Sequence, residues 1–111
     1  MKKFFLGAEK SDFINVEIAD NFFKRFRGLM FREKIPSRHA LFIAPCNSIH
    51  MCFMRFSIDA VFIDSEYKIL KIVRNLRPWI GFSICLNAFG VLELKSGEAN
   101  RIGLKVGQKF F

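Results

Sequence analysis

The fold class follows from one short apolar stretch, Ile58-Asp59-Ala60-Val61-Phe62-Ile63-Asp64. Apart from Asp59 and the terminal Asp64, both alternating faces of this stretch are apolar, and its length is typical of a buried strand rather than a helix. Similar short runs, separated by Asp, Ser, Asn, Pro and Gly, occur at Ala40–Ala44, Ser48–Phe53, Lys68–Val73 and Val91–Lys95. The pattern of apolar runs from residue 40 onward therefore predicts several short strands.

The residues before position 40 predict a strand followed by a helix. Phe13–Ala19 alternates apolar and polar side chains, and Asp20 is a suitable helix N-cap. The apolar residues that follow have helical spacing: Phe22, Phe23, Phe26, Leu29 and Met30. Near the other end, Ser96 can cap a short helix that runs to Ile102. We predict an α+β fold, predominantly antiparallel β, with one N-terminal amphipathic helix and a short C-terminal helix.

Length and composition indicate one compact domain. The chain has 111 residues, of which 51% are hydrophobic and 25% charged, so intrinsic disorder is excluded. We predict a single domain over residues 1–111 with a structured core from about 13 to 110. No apolar run is long enough to cross a bilayer, and the apolar stretch after the N-terminal lysines is too short for a secretory signal. Three Cys fit a reducing compartment, so a cytoplasmic location is expected.

The net charge of +8 favours an acidic partner. The densest group of basic side chains, interrupted only by Glu33, is Lys24, Arg25, Arg27, Arg32, Lys34 and Arg38. A solvated basic face explains this group most simply, and nucleic-acid binding remains an alternative.

One stretch carries side chains that could bind a soft metal. If it is extended, Cys46, Ser48, His50, Cys52 and Met54 share one face. Thiol, imidazole and thioether groups suit Zn²⁺ or Cu(I), with Cys46, His50 and Cys52 as the main ligands. Because the spacing lacks a C-x2-C pair, the simpler interpretation is that the Cys and Met side chains fill the core, and no cofactor is expected. A Cys–His nucleophile is a further, less favoured possibility.

Asp59 is the second candidate for a function. A carboxylate in so apolar a run needs partners, because an unpaired buried charge is costly. The sequence leaves two alternatives open. In the first, Asp59 pairs with Arg55 or with backbone N–H groups in a structural role. In the second, Asp59 forms the polar floor of a ligand pocket that has His50 at its edge. Trp79, beside a loop, is added to the candidate ligand-binding residues. Glu93 alternates with Leu92 and Leu94 and is expected on an exposed strand face.

The order of several motifs resembles the DUF192 family of uncharacterised prokaryotic proteins. The resemblance runs from about Val16 to Phe110 and rests on Gly28–Glu33, Phe53–Arg55 with Ile58-Asp59 and Phe62–Asp64, and Val91–Leu94 with Gly97, Gly103-Leu104 and Gly107. It implies a small, barrel-like, β-rich domain with short helices, and it places recurrent polar positions at Arg55 and Asp59. It implies no particular reaction.

These observations favour a non-catalytic binding or accessory module. Its expected ligand is a small polar or anionic molecule, or a segment of a protein partner, held near His50, Arg55 and Asp59. Soft-metal binding and nucleic-acid binding are the alternatives. The sequence does not settle whether the protein is an enzyme, although its residues favour binding over catalysis.

Overall fold

The protein is mostly β-structure. A computed structural model describes residues 2–5, 13–19, 35 and 37–109. Within these residues, eight strands and one short helix follow one another: β1 (Lys2–Phe5), β2 (Phe13–Ala19), β3 (His39–Ile43), β4 (Ser48–His50), β5 (Ile58–Ile63), β6 (Ile69–Leu76), β7 (Phe82–Ile84), β8 (Gly90–Lys95) and α1 (Glu98–Arg101). No helix in the described part of the chain is long and apolar enough to cross a membrane.

Six of the strands form one mixed sheet in the order β1-β2-β3-β8-β5-β6. Strands β2 and β3 are parallel, and all the other neighbours in this sheet are antiparallel. Strands β4 and β7 form a separate antiparallel pair. Among the described strands, β1 and β6 end the large sheet. The sheet is therefore open, and the barrel-like closure that the family resemblance implied is not confirmed.

The large sheet is covered on both faces, so β5 is buried along its whole length. One face packs against Ile49 and Met51, which come from β4 and the residue after it, and we call this layer the first core. The opposite face packs against Ala99 of α1 and Leu104, and we call this layer the second core. Burial on both sides explains why the β5 sequence is apolar at nearly every position.

Most of the predicted strands are confirmed, and three local expectations need correction. The strand predicted over Ser48–Phe53 ends at His50. Gly97 rather than Ser96 is the N-cap of α1, and the Ser96 hydroxyl instead donates a hydrogen bond to Asn75. Glu93 is buried rather than exposed, because β8 lies inside the sheet between β3 and β5. The amphipathic helix predicted after Asp20 falls at positions outside the described residues.

Candidate functional site

Strands β4 and β7 lie on the first core and turn one face outward. Their register places Ser48 opposite Ile84 and His50 opposite Phe82, and these side chains are exposed. The alternate residues, Ile49 and Ser83, are buried. The chain enters β7 through Gly81, where a Cβ atom would lie 2.6 Å from Met51 Cγ. A glycine is therefore needed to bring β7 this close to the first core.

Strand β7 and the turns next to β4 and β7 carry an unusual number of exposed apolar side chains. With their exposed fractions, they are Phe53 (46%), Trp79 (59%), Ile80 (79%), Phe82 (64%), Ile84 (44%) and Leu86 (75%). We call this set the β4–β7 face. It gathers most of the exposed large apolar residues of the described chain, and a concentration of exposed apolar side chains is typical of an interaction site.

Two turns fix the aromatic end of the β4–β7 face. Phe53 and Trp79 meet edge to face, with ring centroids 5.0 Å apart. Both residues have left-handed backbone conformations, with φ of 62° and 68°. The Trp79 N–H donates to the Met51 carbonyl over 2.7 Å, which ties its turn to the end of β4. Because a positive φ is strained in residues with bulky side chains, the structure holds these two rings at the surface at some cost.

The surroundings of the β4–β7 face are cationic. Lys71 Nζ donates to the Ile84 carbonyl over 3.0 Å, and Arg55 and Arg77 are exposed at the neighbouring turns. Positions 44–58 and 67–92 contain no Asp or Glu. Elsewhere, Asp59, Glu93 and Glu98 are buried and contribute little exposed negative charge.

Asp59 lies on the other side of the large sheet and supports the fold. Its side chain is 1% exposed. Its carboxylate accepts three backbone hydrogen bonds of 3.0 Å, from the N–H groups of Asn75, Gly97 and Ala99. Two of these donors belong to the start of α1, so Asp59 caps this helix from a distant strand. Acceptance of backbone N–H groups is one of the alternatives that the sequence left open.

The predicted ligand-binding residues do not form one pocket. Asp59 faces the second core, whereas His50 is exposed on β4, which covers the opposite side of the sheet. The Nδ1 atom of His50 accepts a hydrogen bond from the Cys52 N–H over 3.3 Å. Arg55 lies in the exposed connection between β4 and β5, and Trp79 belongs to the β4–β7 face. His50, Arg55 and Trp79 are thus accessible on the outward side, without Asp59.

The predicted metal ligands also diverge. Strand β4 ends at His50, and the turn that follows leaves Cys52 exposed while Met54 is buried in the first core. In the part of the chain that the structure describes, no three His, Cys, Asp or Glu side chains are grouped to hold an ion. Burial raises the pKa of the Cys46 thiol, and the nearby Glu93 charge raises this pKa further. A protonated thiol is a poor metal ligand and nucleophile.

The sequence analysis missed an ion pair that anchors α1. Arg101 Nε and Nη2 donate to the two Glu98 carboxylate oxygens, each over 2.6 Å, and the Arg38 N–H donates to Glu98 Oε2 over 2.9 Å. Hydrogen bonding from Arg101 lowers the pKa of Glu98. The i, i+3 spacing of Glu98 and Arg101 was a usable signal for the pair. The contact with Arg38 joins residues far apart in sequence and was not predictable from spacing.

The exposure of the β4–β7 face was missed for a different reason. Ile80, Phe82, Ile84 and Leu86 alternate with other residues, which is the pattern of a strand that buries one apolar side. In the structure, the less apolar side, with Ser83, faces the core. No strand was predicted at these positions; the alternation was a usable signal for β7, but it does not identify the buried side.

Comparison with known proteins places this chain among proteins without an assigned activity. The DUF192 family, described as "Uncharacterized ACR", matches residues 6–110. A UPF0127 protein of Thermococcus sibiricus is 38% identical over 100 residues, covering 85% of this chain and 63% of that protein. A UPF0127 protein of Pyrococcus horikoshii is 42% identical over 99 residues, covering 85% of this chain and 84% of that protein.

Two crystal structures share the fold. A Novosphingobium aromaticivorans protein of unknown function has a TM-score of 0.83 and 23% identity, covering 96% of this chain and 81% of that one. A Sinorhizobium meliloti protein named as a candidate transcription regulator has a TM-score of 0.84 and 24% identity, covering 96% and 89%. The match of the family to nearly the whole sequence, together with the relatives' identity, shows that this chain belongs to the DUF192 family.

Proposed function

We propose that this protein is a non-catalytic binding module that holds an anionic, partly apolar partner on the β4–β7 face. The single observation that carries the proposal is the group of exposed apolar side chains beside the exposed cations Lys71 and Arg77, in stretches of sequence (44–58 and 67–92) that contain no Asp or Glu. His50 and Trp79 lie on the same side and contribute a polar and an aromatic contact.

The chemistry of the remaining candidates supports binding rather than catalysis. The Asp59 carboxylate already accepts three backbone donors and is buried. The raised pKa of Cys46 keeps the thiol protonated at neutral pH, which disfavours nucleophilic attack. The exposed groups around the β4–β7 face include cations and apolar side chains, which recognise charge and apolar surface.

The proposal can be tested with a small anionic aromatic probe, anilinonaphthalene sulfonate. Trp79 is the only tryptophan in the chain and can transfer excitation energy to a probe bound beside it. We expect saturable binding with energy transfer from Trp79, weakened by salt because the cations contribute to it. Phe82→Asp should abolish the transfer, and Val106→Asp should preserve it, since Val106 is 65% exposed but lies outside the face. Equal transfer in the two variants would refute the proposed site.

A further inference from the structure

We infer that the partner of the β4–β7 face is the surface of an anionic lipid membrane, on which the protein rests through Ile80, Phe82, Ile84 and Leu86. This inference rests on the proposed function and names the chemical class of the partner. The protein would bind peripherally, with these side chains in the boundary between headgroups and acyl chains.

The shape of the face favours a lipid surface. Its two most exposed side chains, Ile80 and Leu86, flank β7 two residues beyond each end of the strand, so the exposed apolar residues continue along the chain on both sides of β7. Trp79 lies beside Ile80, and tryptophan is the side chain that membrane interfaces favour most, because its ring is apolar while its N–H remains near water. The Ile84 carbonyl accepts a hydrogen bond from Lys71. This backbone group therefore keeps a hydrogen-bond partner when the face enters the membrane and water is displaced.

The cations beside the face favour a negatively charged surface. Lys71 reaches β7 from the edge strand β6, and its Nζ also lies 5.9 Å from the Phe62 ring centroid. Arg77 precedes the turn that carries Trp79, and Arg55 follows the one that carries Phe53. Long basic side chains can keep their charged ends at the headgroups while apolar neighbours lie deeper. Each such charge strengthens binding to anionic lipid, and there is no carboxylate in the same stretches of chain to oppose it.

Two other occupants fit these observations less well. A single nucleic-acid strand binds by stacking on aromatic rings, and the two most exposed residues of the face, Ile80 and Leu86, are aliphatic. A second copy of this chain would bring two strongly basic surfaces together, because each chain carries a net charge of +8. An anionic membrane offers both an apolar layer and negative charge.

The test uses the full chain, vesicles of stated composition and the fluorescence of Trp79. We expect vesicles of equimolar phosphatidylglycerol and phosphatidylcholine to shift the Trp79 emission to the blue and to co-sediment with the protein. Vesicles of phosphatidylcholine alone should do neither. Ile80→Asp and Leu86→Asp should each weaken partitioning at least about tenfold, while Val106→Asp leaves it unchanged.

A matched pair of charge variants tests the contribution of the cations. Lys71→Gln with Arg77→Gln should weaken partitioning by about fivefold for each charge removed. Lys95→Gln with Lys105→Gln removes the same charge from exposed sites outside the face and should have a smaller effect. Thermal unfolding of both double variants establishes that each one is folded before it is compared.

The outcomes separate this inference from the proposed function. Equal binding to both kinds of vesicle, or equal effects of the two double variants, overturns the role of anionic lipid. Quenching of Trp79 by a single-stranded oligothymidylate, without vesicle binding, overturns it in favour of nucleic acid. Binding of anilinonaphthalene sulfonate without vesicle binding leaves the proposed site in place and refutes the membrane as partner. Failure of both the probe and the vesicles refutes both proposals.

Discussion

Replacing Asp59 by Asn tests whether this carboxylate supports the fold or binds a ligand. In the native protein, Oδ2 accepts the N–H groups of Gly97 and Ala99, and Oδ1 accepts that of Asn75, all over 3.0 Å. An Asn side chain has nearly the same shape but offers only one acceptor oxygen. Its amide NH2 must therefore face at least one backbone N–H, so that donor loses its partner.

The expected loss follows from the number and kind of hydrogen bonds. A hydrogen bond to a charged group contributes about 1.5–3 kcal/mol, and a neutral one about 0.5–1.5 kcal/mol. Asp59→Asn removes one charged bond and converts the other two to neutral ones, while it also removes the cost of burying a charge. We therefore expect the free energy of unfolding to fall by about 2–4 kcal/mol, a large part of the roughly 5–15 kcal/mol typical of a domain.

Urea unfolding followed by circular dichroism measures this loss, and the chain supplies a matched control. Asp64 also accepts backbone hydrogen bonds, from Glu66 and Lys68 over 2.9 and 3.0 Å, but both bonds end on its Oδ1 in an exposed turn. An Asn can keep both bonds, so Asp64→Asn should cost no more than about 1 kcal/mol. Wild-type stability in Asp59→Asn, coupled to lost probe or vesicle binding, would refute the structural role and identify Asp59 as a ligand group.

Two further predictions concern titratable groups. Hydrogen bonds from Arg101 lower the pKa of Glu98 below its ordinary value of 4.5. The ionised Glu98 carboxylate therefore stabilises the fold fully above pH 4.5, and this stabilisation is lost as the pH falls through the lowered pKa. The stability gap between wild type and Glu98→Gln should therefore narrow in acid, and a constant gap in urea midpoints would contradict this reasoning. The exposed Cys52 should react with a disulfide-exchange reagent at neutral pH before Cys46 does, because the Cys46 thiol is half-buried and has a raised pKa. Cys52→Ser should remove the fast phase of the reaction. A fast phase that persists in this variant would contradict the assignment.

The sequence was most informative where burial leaves a local pattern. The apolar run at 58–64 predicted β5 because a strand covered on both faces needs apolar residues on both. The alternation at Phe13–Ala19 predicted β2, and the short helix expected to run to Ile102 corresponds to α1, whose C-cap is Ile102. These features depend on residues within a few positions of one another.

The candidate site was less predictable, because its character depends on which elements pack together. The alternation of Ile80, Phe82, Ile84 and Leu86 is consistent with burial of either side of a strand, and only the packing of β4 and β7 on the first core turned the apolar side outward. The partners of Asp59 likewise come from residues 16 to 40 positions away.

By itself, the sequence determined that this chain is rich in short strands, strongly basic and a member of the DUF192 family, because composition, periodicity and motif order are local or additive properties. The tertiary structure decided the rest. It gave the Asp59 carboxylate three distant backbone donors and buried Glu93, and it left an apolar face exposed beside exposed basic side chains. The physical reason is that burial and hydrogen bonding depend on which two segments pack against each other. The sequence specifies the side chains of each segment but does not show which segments come into contact.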